Sequence, residues 1–157
     1  MVTLKEALPA ITRAGGAKYP MVLPGHSAFH TPLMADMQGA LEAAAPASFS
    51  PPLVPLFDGS GRQWPSGDSC DVEALREYTI REQVLSTFDF DRSLEVAINT
   101  LDPDVLVLLG PGASLGGAIG QTIVRMRWRG INSKASFTGI QASDHPVLLV
   151  TGQDYVA

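Results

Sequence analysis

Asp104-Val105-Leu106-Val107-Leu108-Leu109-Gly110-Pro111-Gly112 is the stretch on which the fold turns. The aliphatic run Val105 to Leu109 has the length of a strand. It is apolar at both parities, so both of its faces need cover, which is the situation of a central parallel strand. Gly110-Pro111-Gly112 stops the run. Leu115, Ile119 and Ile123 then recur at helical spacing. A buried strand turning sharply into a helix is half of a strand–helix–strand unit, so the predicted class is α/β with a largely parallel sheet.

Reading outward from this stretch extends the alternation. On the C-terminal side, Arg125, Arg127 and Arg129 surround Trp128, and Pro146 to Thr151 is a second strand. On the N-terminal side, Leu94, Ile98 and Leu101 mark a helix over 91–101, and a further helix is predicted over 72–85. Residues 58–70 read as an exposed loop, Leu53 to Phe57 as a strand, and 46–52, with three prolines, as a linker. Thr31 is placed to cap a helix running to about Ala45, with Pro32 in its first turn and Leu33, Met37 and Leu41 on one face. Residues 24–30 form a loop after a short apolar strand over 19–23, and 4–14 form a short helix that Gly15-Gly16 ends.

Composition bounds what such a chain does. At 157 residues and 16.7 kDa, with 45 % hydrophobic residues and a mean hydropathy of +0.12, it has the material for a packed core. The 11 Lys and Arg against 16 Asp and Glu give a net charge of −5, which argues against nucleic acid as a partner, since phosphate neutralisation needs a basic face. A single cysteine, Cys70, supplies neither a disulfide framework nor a cysteine-based metal site, and no metal or redox cofactor is implied. No apolar run has the length of a membrane span and the first residues show no signal-peptide pattern, so the expected location is the cytoplasm.

Of the three histidines, His26, His30 and His145, His30 has the most telling position. It follows a strand and immediately precedes a helix cap, where open α/β sheets bind ligands. A neutral imidazole there can take a proton from a serine and return it, given a positioned hydroxyl and a partner for its other nitrogen.

Ser27-Ala28-Phe29-His30-Thr31-Pro32-Leu33-Met34 resembles the segment around the catalytic histidine of the malonyl-CoA:acyl-carrier-protein transacylases and polyketide-synthase acyltransferase domains. Ala14-Gly15-Gly16-Ala17-Lys18, Pro51-Pro52-Leu53-Val54-Pro55-Leu56 and Leu109-Gly110-Pro111-Gly112 with Leu115 and Gly116 resemble further blocks of that family in order. The resemblance covers about residues 4–125 and implies the C-terminal half of the family's fold. That is part of a hydrolase-like parallel sheet flanked by helices, preceded over 1–23 by the end of a small ferredoxin-like subdomain. Residues 24–130 would be the acyltransferase core and 131–157 a C-terminal extension.

The function it implies is malonyl transfer from coenzyme A to the phosphopantetheine thiol of acyl carrier protein, in fatty acid or polyketide biosynthesis, through an acyl-serine. His30 would be the general base, oriented by a backbone carbonyl at about Asp89; the alternative for Asp89 is a plain helix N-terminal charge. Phe29 and Ser27 would face the acyl group, and Gly110 and Gly112 would shape the cleft floor. A phenyl ring at Phe29 leaves little room for an α-methyl branch, a discrimination of about 1–3 kcal/mol.

Parts of the family pattern are absent from the sequence. Gly25-His26-Ser27 is followed by Ala28-Phe29 and lacks the closing glycine of a nucleophile elbow. The chain therefore reads as bringing the base, with the nucleophile on a missing N-terminal half, and malonyl-CoA and acyl carrier protein as partners. Two other readings stay open. Gly110 to Gly116 follows a strand and opens a helix as phosphate loops do, although the glycine spacing is one place off and no lysine follows. The chain is otherwise a non-catalytic relative that binds acidic carrier protein through Arg125, Arg127, Arg129 and Lys134, cations that equally suit a solvated helix end.

Overall fold

The computed structural model describes residues 7–12, 16, 18–19, 26–110 and 113–151. The chain is mixed α and β, with helices around small two-stranded sheets. Near the N-terminus β1 (Ile11–Thr12) pairs antiparallel with β2 (Lys18–Tyr19). Of the helix predicted over 4–14, only Ala7 is helical among the described residues; 8–10 are irregular and Ile11–Thr12 are strand, in keeping with Pro9, which lacks the amide a helix interior needs. The strand predicted over 19–23 begins a residue early, and most of it lies outside the described residues.

Thr31 caps the next helical segment as its sequence predicts: its Oγ1 accepts from the Leu33 amide at 3.3 Å, with Pro32 in the first turn. The segment opens as a tight 3₁₀ run, Pro32–Met37, that passes directly into α1 (Gln38–Ala44). Three residues per turn shift the inward face, so Met34 is buried while Leu33 and Met37 are 80 % and 50 % exposed. The face predicted from Leu33 and Met37 is therefore wrong.

The region 58–70 is also not the exposed loop predicted. β3 (Leu56–Phe57) and β4 (Gln63–Trp64) form a hairpin closed around the buried Asp58 carboxylate. The turn carries Trp64 inward, where it packs with Cys70, Leu75 and Tyr78 as a small core. Helix α2 (Val72–Glu77), a π-helical turn (Tyr78–Glu82) and α3 (Gln83–Leu85) continue one another over the predicted 72–85. Asp71 caps the start, accepting from the Ala74 amide at 3.0 Å.

The main core lies further along. It unites α4 (Phe90–Leu101), β5 (Leu106–Leu108), α5 (Gly116–Met126), α6 (Lys134–Gln141) and β6 (Leu148–Val150). Ile98, Ile119, Ile123, Trp128, Ile131, Val147 and Leu148 form its buried centre. Residues beyond 130 thus share the core with those before it. β5 and β6 pair in parallel, Leu106 opposite Leu148 and Leu108 opposite Val150. Leu106 and Leu108 pack against the buried centre, whereas Val105, Val107 and Leu109 point away and are 37, 52 and 74 % exposed. No helix among the described residues is long and apolar enough to cross a membrane.

Candidate functional site

His30 sits on the end of the α2–π–α3 rod. The last carbonyls of a helix have no partner within it, and His30 takes two of them. Its backbone N–H donates to Val84 O at 2.9 Å, and its ring Nδ1 lies 2.6 Å from Gln83 O. A carbonyl oxygen only accepts, so Nδ1 carries a proton, and in the neutral ring Nε2 is the nitrogen that keeps its lone pair. Both contacts come from one residue because the backbone at His30 is left-handed, φ +63°, a conformation costly for a side chain other than glycine. The Phe88 ring packs beside the imidazole, with centroids 5.5 Å apart. A third tie comes from α1, where Gln38 Nε2 donates to Ile80 O at 2.9 Å. The segment 30–38 is thus pinned to the rod on main-chain oxygens.

The orienting carbonyl is Gln83's, not one at Asp89. Asp89 is the N-cap of α4: its Oδ1 accepts from the Arg92 amide at 2.9 Å and its own carbonyl accepts from the Ser93 amide at 3.0 Å. The imidazole makes its main-chain contact with Gln83 O instead. Gln83, Val84 and Phe88 are the residues that sequence reasoning missed. The signal available was the end of the helical pattern at Leu85, where unsatisfied carbonyls must emerge.

The remaining candidates are placed as follows. Phe29 adjoins His30 and is 53 % exposed. Ser27 is exposed and makes no hydrogen bond to His30 among the described residues. The Gly110 amide donates to Thr151 Oγ1 at 2.7 Å, which ties the end of β5 to the end of β6. Gly112 lies outside the described residues. Among these residues no hydrogen bond or ring contact joins Ser27, Phe29 or His30 to Gly110. Cys70 is buried in the small core.

The cations near the C-terminus are less available than their sequence suggests. Arg125 bridges Asp91 at 2.9 Å and Glu95 at 2.7 Å. The Asp91 carboxyl is held below its ordinary pKa, first by the Thr122 hydroxyl and then, against the cost of desolvation, by Arg125. Arg129 pairs with Asp104 at 2.8 Å and also donates to Pro103 O. Two of the four cations are therefore neutralised within the chain.

No group of three or more metal-ligating side chains occurs among the described residues. Comparison of the chain with protein-family models, with curated proteins and with solved structures found no match.

Proposed function

We propose that this chain supplies the general base for malonyl transfer from coenzyme A to the phosphopantetheine thiol of an acyl carrier protein, with the acyl-bearing serine on another stretch of polypeptide. The observation that carries the reading is the 2.6 Å contact of His30 Nδ1 with Gln83 O. A main-chain acceptor fixes the tautomer as a carboxylate would, and it leaves Nε2 ready to accept a proton.

The chemistry runs in two halves. Nε2 takes the serine hydroxyl proton as the oxygen attacks the thioester carbonyl, and the imidazolium returns that proton to the departing coenzyme A thiolate. The carrier thiol then gives its proton to Nε2 as its sulfur attacks the acyl-serine ester, and the serine oxygen is reprotonated. Phe29, exposed beside the imidazole, suits a steric limit on the acyl α-carbon. The uncovered face of β5 suits a hydrolase-like sheet to which further elements add.

Labelled malonyl-CoA incubated with the chain alone should leave no label on it. Covalent label at Ser27 would overturn the assignment of the nucleophile to another polypeptide. With carrier protein and a polypeptide bearing a Gly-His-Ser-x-Gly elbow added, transfer is expected, and His30→Ala should lower it about 10²–10⁴-fold. Transfer unchanged by that substitution removes His30 from the reaction.

A further inference from the structure

A groove of about 540 Å³ runs between α5 and α6, away from His30. Its volume falls within the roughly 300–1,000 Å³ of small-molecule sites. Gly117, Gly120, Val124 and Phe137 form its walls, with Arg125 and Lys134 at one end. The far end and the middle of the groove differ in character. A Cβ built on Gly117 meets nothing within 4 Å, so the groove is open there, whereas at Gly120 the Phe137 ring approaches to 3.0 Å and forms an apolar floor. Along α5, Gly117 to Arg125 spans about 12 Å.

Charge selects the occupant. No acidic side chain lines the groove, although acidic residues outnumber basic ones in the chain, 16 to 11. Arg125 is matched by Asp91 and Glu95, while Lys134 has no ion pair or side-chain hydrogen bond among the described residues. Lys134 is also the first residue of α6, so an anion beside it meets the positive end of that helix as well. We infer that the groove binds an aliphatic carboxylate of medium chain length. Its head group sits at Lys134, and its tail runs over Val124 and Phe137 toward Gly117. The site is independent of the reading of His30.

The test is titration of the full chain with decanoate, with decanol and decyltrimethylammonium as comparison ligands, followed calorimetrically. Decanoate should bind more tightly than either. Gly117→Leu fills the open end on a helical residue with no left-handed backbone, so it should abolish decanoate binding without lowering the melting temperature. Lys134→Glu should weaken decanoate about tenfold, the effect of losing about 1.4 kcal/mol, and leave decanol unchanged. Equal binding of the cationic ligand, or decanoate binding untouched by Gly117→Leu or by Lys134→Glu, overturns the inference, as does an absence of decanoate binding.

Discussion

The Asp58 carboxylate is 4 % exposed, and both of its oxygens are occupied. Oδ1 accepts from the Ser60 amide and hydroxyl and from the Arg62 amide at 2.7–2.9 Å, and Oδ2 accepts from the Trp64 indole at 2.9 Å. Burial pushes its pKa up, but the hydrogen bonds from Ser60, Arg62 and Trp64 together outweigh burial and hold it below the ordinary carboxylate value. A carboxyl whose folded pKa lies below its unfolded value, about 3.9, adds stability that is complete above that value. The contribution is lost as pH falls through the folded pKa. Asp58→Asn sets an amide donor either against the Trp64 indole N–H or, with the amide turned over, against the Ser60 and Arg62 N–H groups. Urea unfolding at pH 7 should show a loss of about 1–3 kcal/mol. The difference from the parent should shrink as pH is lowered below about 4; a constant difference there would mean that the charge on Asp58 contributes nothing. The same scale explains what was legible at His30. A histidine before a helix cap is visible in the letters of the sequence. The carbonyl that orients it belongs to every residue alike and has no letter, so only the helix end at Leu85 could point to Gln83.

Among elements, two glycines that look alike in the sequence have opposite surroundings. Gly139 lies inside α6 with open space around a built Cβ. Gly59, in the β3–β4 turn, would drive a Cβ to 2.5 Å from the Phe88 ring and 2.9 Å from the Phe88 Cα. Gly139→Ala should raise stability by about 0.5–1 kcal/mol through helix propensity. Gly59→Ala should lower it by about 1–3 kcal/mol, because the backbone atom cannot step aside. Thermal unfolding of the two variants checks both, and a loss at Gly139 would show that α6 is not a helix at that point. Helix α6 was itself illegible. Its capping box joins Ser133 to Ser136 in place of the usual Glu or Gln, and only Phe137 and Ile140 mark its apolar side. The α2–π–α3 rod was legible as a helix from its extent, but nothing in Tyr78–Glu82 announces the wider turn, whose Gln83 amide bonds back to Tyr78 O.

At the scale of the whole molecule, the decisive feature is the unequal treatment of the two faces of β5. The run Val105 to Leu109 asks for cover on both, and Pro146 to Thr151, read from the sequence as a further strand, pairs with it in parallel as β6. Among the described residues, α5 and its neighbours cover one face only. Parallel sheets occur almost only with both faces covered, and β5 pairs with β6 alone among the described residues. Val105, Val107 and Leu109 therefore form an apolar strip beside a strand edge, a surface on which chains associate. The isolated chain should sediment with a mass that rises with concentration. Val107→Lys with Leu109→Lys should return it to a monomer while changing stability by no more than about 0.5 kcal/mol, since neither side chain is buried. Sedimentation of the parent as a monomer at every concentration would mean that the strip is tolerated in water without a partner. Association that survives the double substitution would move the contact elsewhere, to other exposed apolar side chains such as Leu33, Leu53 and Val54.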